Sequence, residues 1–284
     1  MERRAGRGRP FVKMSGSGND FVFFDTRGEP AGDLDTPARI QAICARGTGV
    51  GADGIVFVEP LTEPAAHGSA GARIRYVNAD GSPAGLCGNA TLCAVRYLSE
   101  ELGPDRELSI ETEVGLVTGR LRDGVPEIDL APAGSVTPDM TMDLALARGE
   151  RALGFALVGV PHLVVLVDDV ETVDVAGRGA ELRRHPALGR SGANVNFVAP
   201  SNGGWVMRTF ERGVEGETLA CGTGAVASAN LVAAWNPAEA DGVVALETRS
   251  GSVLRVRLVG GEAGLAPRPS LSGEGRVVFW GHLP

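Results

Sequence analysis

Lysine is almost missing from this chain: Lys13 is the only one among 284 residues. A racemase that uses pyridoxal phosphate needs a lysine for its Schiff base, and nothing in the sequence around Lys13 resembles a cofactor pocket. Long apolar runs are missing as well, since no stretch approaches the roughly 20 residues that span a bilayer. We therefore expect neither pyridoxal chemistry nor a membrane partner.

An excess of positive charge is also lacking, because 35 Asp and Glu residues outnumber 27 Lys and Arg residues, which gives a formal net charge of −8 and a sequence pI of about 5.1. Nucleic-acid binding is not expected, since no domain-wide basic field exists to neutralise phosphates. Residues 1–10 are rich in arginine, but no apolar segment of a secretory signal follows them. We interpret 1–10 as a flexible extension and expect a cytoplasmic protein. Its cysteines are then expected to be reduced; they are Cys44, Cys87, Cys93 and Cys221.

Metal-ligand spacings are absent too. There is no Cys-x-x-Cys pair, and the histidines are scattered along the chain, at His67, His162, His185 and His282. A zinc site is therefore not expected. Residues 49–54 fit the letters of the dinucleotide fingerprint, but a helical stretch precedes them and a strand follows, which is the reverse of the order that fingerprint needs. We interpret them as a turn and expect no cofactor and no metal.

An internal duplication is the main feature that the sequence does have. Four features recur in the same order in both halves: a polar turn entering an apolar strand (18–25 and 159–168), a Gly-Ala-Asp or Gly-Ala-Asn turn entering a strand (51–60 and 192–200), a strand followed by Cys-Gly (75–88 and 208–222), and Glu-Thr before glycine (110–115 and 246–251). The chain is long enough for two domains, and its 43% hydrophobic and 22% charged residues are typical of globular proteins. We predict two duplicated domains.

Short β-branched and aromatic runs predict the strands 21–24, 55–58, 73–77, 163–167, 195–198, 205–210, 253–259 and 276–280. Apolar periodicity predicts one main helix after each Cys-Gly, over 90–102 and 225–235. The predicted fold class is α+β, with two pseudo-symmetric domains, each a curled, mostly antiparallel sheet around a central helix. The N-terminal half spans 11–131 and the C-terminal half 132–275, with a linker near 131–138. The strand 276–280 packs on the first half if the chain returns there.

Cys87 and Cys221 each directly precede a predicted helix. A helix N-terminus can lower the pKa of a thiol, and its unpaired N–H groups suit a carboxylate. If the two halves face each other across a pseudo-twofold axis, one cysteine removes an α-proton and the other returns one to the opposite face. The pair therefore predicts an amino-acid epimerase or racemase.

The cysteines also admit interpretations other than catalysis. A free cysteine is often a core residue, and we assign that role to Cys44 and Cys93, which lie outside the repeated pattern. A disulfide between Cys87 and Cys221 is a plausible product of oxidation if they face each other closely, but it fits poorly as a structural bond in a cytoplasmic protein. Among the histidines only His162 lies in a repeated feature. His162 and Glu211 lie at loop ends that could converge near the thiols and tune the second cysteine.

At these residues the chain resembles the diaminopimelate epimerase family over nearly its whole length. The segments that carry the resemblance are 14–21, 49–54, 78–82, 87–89, 159–162, 192–194 and 211–224. The resemblance implies cofactor-independent conversion of L,L-2,6-diaminopimelate to the meso form, in the biosynthesis of lysine and of the peptidoglycan precursor. It also implies the site residues. Cys87 and Cys221 match the catalytic thiols, and His162 and Glu211 match residues that assist them. Substrate-binding positions are matched by Asn19, Asn78, Gly88, Asn89, Asn194, Glu211, Arg212, Gly222 and Thr223.

Three departures from the family pattern concern substrate identity. Val160 stands where the family often has Asn, Ala90 replaces a frequent glycine, and the loop that begins at Glu211 is one residue longer than the shortest family form. Two alternatives therefore stay open: a racemase or epimerase of another amino acid on the same fold, and a non-catalytic amino-acid-binding protein. An exposed apolar strand edge would support a homodimer.

Overall fold

The computed structural model describes residues 8–63, 70–83, 85–236, 242–259 and 268–284. The chain forms two compact units, one from Met1–Ile128 with Glu274–Pro284 and the other from Asp129–Gly273. Residues 1–7 of the expected extension and His67 lie outside the described residues, and Arg9 already belongs to the first strand. Within the described residues, no helix combines the length and the apolar character needed to cross a membrane.

The first unit alternates strands with two helices. Its elements are β1 (Arg9–Gly16), β2 (Asn19–Asp25), α1 (Pro37–Cys44), β3 (Gly54–Glu59), β4 (Ala70–Asn78), α2 (Gly88–Leu102), β5 (Leu108–Thr112), β6 (Gly115–Arg122), β7 (Val125–Asp129) and the last strand of the chain, β17 (Arg276–Leu283). Strand β1 pairs antiparallel with both β2 and β17. Strands β2 and β3 are parallel, β3 and β4 antiparallel, β4 and β5 parallel, and β5 and β6 antiparallel.

The second unit repeats this order. Its elements are β8 (Val136–Thr137), β9 (Glu150–Val158), β10 (Val160–Val167), α3 (Val175–Arg183), β11 (Asn194–Ser201), β12 (Gly204–Glu211), β13 (Gly216–Thr218), α4 (Gly222–Trp235), β14 (Val243–Glu247), β15 (Val253–Val259) and β16 (Arg268–Ser272). Strands β10 and β11 are parallel, β11 and β12 antiparallel, β12 and β14 parallel, and β14 and β15 antiparallel. The two units therefore share one pairing scheme, as the sequence repeat predicts.

One long helix lies at the centre of each unit. Helix α2 contacts β1, β2, β4, β5, β6 and β17, and helix α4 contacts β8, β9, β10, β11, β14, β15 and β16. Leu92 and Leu98 of α2 and Leu231 of α4 are fully buried, so apolar burial against the surrounding strands stabilises both helices. The predicted α+β architecture of mostly antiparallel sheets around central helices is confirmed.

Candidate active site

Cys87 is the N-cap of α2. Its backbone is extended, with φ −120° and ψ 110°, and its carbonyl accepts a hydrogen bond of 2.9 Å from the N–H of Thr91. The side chain is half-buried and lines a small open depression whose wall includes Tyr76 and Thr91. The N–H groups of Gly88 and Asn89 are in the first turn, where a helix supplies no acceptor of its own. A thiol and a set of donors therefore lie together at the start of α2.

Cys221 occupies the equivalent place, as the N-cap of α4. Its backbone has φ −139° and ψ 110°. Unlike the sulfur of Cys87, its Sγ caps the helix, because it accepts a hydrogen bond of 3.4 Å from the N–H of Gly224. The hydroxyl of Thr223 lies 3.6 Å from the same sulfur. Donors so close to Sγ stabilise negative charge on it.

The other two cysteines lie in the core, as the sequence interpretation expected. Cys44 is 4% exposed and burial raises its pKa to about 11. Cys93 is fully buried. Burial is the main cause that raises its pKa well above the ordinary value, and the neighbouring Cys87 adds to this effect. Both are therefore protonated near neutral pH and unsuited to act as bases.

His162 is fully buried on β10. Burial, with a smaller contribution from the positive charge of Arg212, lowers the pKa of His162 to about 3. The imidazole is therefore neutral at physiological pH. Its Nδ1 lies 3.2 Å from the side-chain Nδ2 of Asn196, and its Nε2 has no hydrogen-bond partner among the described residues. A neutral imidazole in this position is a hydrogen-bonding group rather than a counter-ion for a thiolate.

Four of the predicted site residues lie at one end of β10, β11 and β12. His162 is in register with Asn194 on the parallel strand β11. The side-chain oxygen of Asn194 accepts a hydrogen bond of 2.8 Å from the backbone N–H of Arg212, directly after Glu211 at the end of β12. Glu211 and Arg212 are half-buried. His162, Asn194, Glu211 and Arg212 therefore lie at the same end of these three strands.

In the first unit the predicted asparagines make side-chain hydrogen bonds to one another and to neighbouring polar residues. The amide Nδ2 of Asn89 donates to Oδ1 of Asn19 at 2.7 Å, and Nδ2 of Asn19 donates to Asp53 at 3.0 Å. Asn78 begins a turn in which its Nδ2 donates to the hydroxyl of Ser82 at 3.0 Å. The start of β2 is therefore held directly against the first turn of α2.

A cluster of four charged side chains lies next to Asn19 and was not predicted from the sequence: Lys13, Asp20, Arg46 and Asp53. The ammonium of Lys13 lies 2.6 Å from Asp20 and also donates to the carbonyl of Gly51, while Arg46 bridges Asp20 and Asp53 at 2.6 and 2.7 Å. Burial raises the pKa of Asp20, but hydrogen bonds from Arg46 and Lys13 outweigh it and hold that pKa below its ordinary value. The signal available in the sequence was that Asp20 and Asp53 both lie in repeated segments.

Comparison with known proteins identifies the relationship. The family model for diaminopimelate epimerase matches residues 11–130 and 154–261. The chain belongs to the diaminopimelate epimerase family. It is 49% identical over 283 residues to the diaminopimelate epimerase of Gemmatimonas aurantiaca, a match that covers 96% of this chain and 98% of that protein. With the diaminopimelate epimerase of Aquifex aeolicus it shares 36% identity, over 87% of this chain and 88% of the relative.

Solved structures agree on the fold of this family member. A phenazine biosynthesis protein of the PhzF family from Bacillus anthracis superposes with a TM-score of 0.72 at 15% identity, covering 98% of this chain and 100% of that one. A hydroxyproline epimerase from Agrobacterium vitis gives a TM-score of 0.66 at 19% identity, covering 98% and 93%. These likenesses show the fold alone. Family membership itself makes the chain an isomerase.

Proposed function

We propose that this chain converts L,L-2,6-diaminopimelate to meso-diaminopimelate without a cofactor, as a step in making lysine and a peptidoglycan precursor. The names of the relatives support the substrate. The observation that carries the chemistry is that Cys87 and Cys221 are the N-caps of equivalent helices. Each is thereby placed beside N–H donors that suit a carboxylate.

The proposed reaction is a proton transfer between two sulfurs by way of one carbon. One cysteine, as a thiolate, takes the α-proton and becomes a thiol. The electron pair left on the carbon is delocalised into the α-carboxylate, which N–H groups of the first helical turns hold. The other cysteine, initially a thiol, gives its proton to the opposite face of the carbon and becomes the thiolate. No proton is gained or lost overall, and the configuration is inverted.

The remaining residues serve this step by binding and orientation. In the proposal, backbone N–H groups of Gly88, Asn89, Gly222 and Thr223 hold the reacting carboxylate. Arg212 is suited to the distal carboxylate, because a guanidinium binds a carboxylate bidentately. Asn19, Asn78 and Asn194 both donate and accept hydrogen bonds, which suits the ammonium and carboxylate groups of the distal end. Glu211 and the neutral His162 assist the thiol chemistry.

Val160 favours one second candidate, a racemase or epimerase of a different amino acid on this fold. It is half-buried at the start of β10, two residues before His162. An isopropyl group cannot supply the hydrogen bond that asparagine would offer the distal end of the substrate, a loss worth about 0.5–1.5 kcal/mol. The variant Val160→Asn separates the two candidates. If the variant binds diaminopimelate more tightly than the wild type does, diaminopimelate is supported as the substrate. If the variant instead loses turnover of another amino acid, the alternative is supported.

The test is proton NMR of the reduced protein with L,L-diaminopimelate in D2O, without added pyridoxal phosphate. We expect the meso isomer to appear with deuterium at the inverted α-carbon. Cys87→Ala and Cys221→Ala should each abolish this conversion, whereas Cys44→Ala, which removes a core thiol, should retain it. Full turnover by either of the first two variants would exclude the two-thiol mechanism. Absence of exchange in the wild type would move the search to a panel of other amino acids.

A further inference from the structure

A buried chain of three polar side chains extends through the second unit: Thr209, Asn196 and His162. The hydroxyl of Thr209 donates to Oδ1 of Asn196 at 2.9 Å, and Nδ2 of Asn196 lies 3.2 Å from Nδ1 of His162 and 3.3 Å from the carbonyl of Leu163. All three side chains are at most 2% exposed. Buried polar groups are stabilising only where their hydrogen bonds are satisfied, so the geometry of this chain is closely constrained.

The orientation of the Asn196 amide follows from its partners. The carbonyl of Leu163 can only accept a hydrogen bond, so the amide edge that faces it is the NH2 group. The second hydrogen of that group then points to Nδ1 of His162, which must accept it. A neutral imidazole that accepts at Nδ1 carries its proton on Nε2, the one nitrogen without a partner among the described residues.

The first unit has no such chain at the matching positions. Asn196 on β11 is in register with Thr209 on β12, two residues after the Asn of the Gly-Ala-Asn turn. In the first unit Ile55 on β3 is in register with Val77 on β4, two residues after the Asp of the Gly-Ala-Asp turn. Ile55 and Val77 are buried and apolar. The polar pair is therefore specific to the unit that contains His162 and is not a requirement of the repeated fold.

The Asn196 amide packs directly against the first turn of α4, the helix whose N-cap is Cys221. A Cβ built on Gly224 would be 2.4 Å from Oδ1 of Asn196 and 3.2 Å from Sγ of Cys221. Glycine at this position lets the first turn of α4 rest on the amide while its N–H donates to the sulfur. A change in the position of Asn196 is thereby transmitted to the turn that holds the thiol.

We propose that Asn196 and Thr209 are positioning residues that keep the ring proton of His162 on Nε2, so that this N–H serves as a donor in the reaction. The proposal rests on the function proposed above. The carbonyl of Leu163 sets which way the Asn196 amide faces, and the hydroxyl of Thr209 stabilises that orientation by donating to Oδ1. The amide in turn fixes which nitrogen of His162 is protonated, so the imidazole presents one donor. Neither residue contacts substrate in this scheme.

The primary test is long-range 1H–15N correlation of the histidine rings, with the His162 signals assigned by their loss in His162→Gln. In the wild type we expect the Nε2–H tautomer. Asn196→Asp places a carboxylate against Nδ1 and should transfer the proton to that nitrogen. Thr209→Val should give a mixture of tautomers, and Thr209→Ser should restore the wild-type spectrum. A wild-type Nδ1–H tautomer, or an unchanged spectrum in both Asn196→Asp and Thr209→Val, would overturn the proposal.

Steady-state kinetics supply the second readout. Thr209→Val should lower kcat about 3- to 10-fold, as the loss of one buried hydrogen bond allows, with KM nearly unchanged, and Thr209→Ser should recover it. Ser228→Ala is the matched control, because it removes a buried hydroxyl of the same unit that contacts Met207 instead. A changed tautomer with unchanged kcat would remove the positioning role. If the wild type fails to epimerise diaminopimelate, the proposed function fails, while the ring spectra still decide the tautomer.

Discussion

The side-chain oxygen of Asn194 accepts a hydrogen bond from the backbone N–H of Arg212 across 2.8 Å. Asn194 is the first residue of β11, and Arg212 directly follows β12. The bond therefore fixes the start of the loop that carries the guanidinium. If Arg212 binds the distal carboxylate, then Asn194 acts on substrate binding partly by holding Arg212 in place.

The first prediction follows from this bond. Asn194→Ala removes an acceptor worth about 0.5–1.5 kcal/mol, so KM for diaminopimelate should rise roughly 3- to 10-fold while kcat changes less. Asn230→Ala is the control, because its side chain donates to a backbone carbonyl within α4, that of Val226. Steady-state kinetics of both variants check the prediction. Equal KM values in the wild type and in Asn194→Ala would contradict it.

The second prediction concerns thiol reactivity. Alkylation requires an accessible thiolate. Burial raises the pKa of Cys44 to about 11 and raises the pKa of Cys93 well above its ordinary value. Near pH 7.5 we expect iodoacetamide to label Cys87 and Cys221 at least about tenfold faster than Cys44 or Cys93. Cys87 is half-buried, and Cys221, although only 8% exposed, has its Sγ beside the N–H of Gly224, which favours the thiolate. Tandem mass spectrometry of tryptic peptides over time measures the four rates, with fragmentation separating Cys87 from Cys93, which share the peptide 76–96.

Unfolding provides the control for this labelling. In concentrated urea all four thiols should react at similar rates, since burial no longer separates them. Diaminopimelate added to the folded protein should slow labelling of Cys87 and Cys221 but leave Cys44 unaffected. Labelling of Cys44 as fast as Cys87 in the folded protein would show that burial does not determine the reactivities.

The third prediction concerns the close approach of α4 to Asn196. Gly224→Ala would place Cβ 2.4 Å from Oδ1 of Asn196, and overpacking of this kind costs about 1–3 kcal/mol. The gain in helix propensity offsets at most about 1 kcal/mol of this cost, so we expect the free energy of unfolding to fall by about 1 kcal/mol and by no more than about 2 kcal/mol. Urea denaturation measures it. Gly203→Ala, where no atom lies within 4 Å of the new Cβ, should change stability by less than about 0.5 kcal/mol.

Sequence periodicity located both central helices to within a few residues, because their apolar faces are continuous. The predicted helix 90–102 is Gly88–Leu102, and the predicted 225–235 is Gly222–Trp235. Helix α3 was missed, since Val175–Arg183 contains two glycines and has a weak apolar face. Strand β1 was missed because Lys13 interrupts its apolar run, and only the tertiary structure shows that this lysine is buried against Asp20.

Among the site residues, too, some positions could be predicted from local sequence and others only from the tertiary structure. The positions of Cys87 and Cys221 at helix starts follow from sequence, since a Cys-Gly precedes each helical pattern. The side chains of Asn196 and Thr209 gave no such signal, because alternate polar residues in a strand ordinarily face solvent. They are buried only because α4 covers that face of β11, and their link to His162 requires the parallel pairing of β10 with β11. Neither relationship is encoded in local sequence.

The final prediction is the pH dependence that the buried His162 imposes on stability. Its pKa is about 3 in the folded protein, whereas an imidazole in the unfolded chain titrates at about 6.5. Between these values the unfolded state binds a proton that the folded state does not. The free energy of unfolding should therefore fall as pH decreases below about 6.5, by up to about 1.4 kcal/mol per pH unit from this residue, and His162 should contribute no slope above that range.

Urea denaturation near pH 7.5, 6 and 5 of the wild type and His162→Gln isolates the contribution, since both proteins retain every other histidine. The two curves should run in parallel above pH 7 and converge as the pH falls; parallel curves down to pH 5 would mean that His162 is protonated in the folded state.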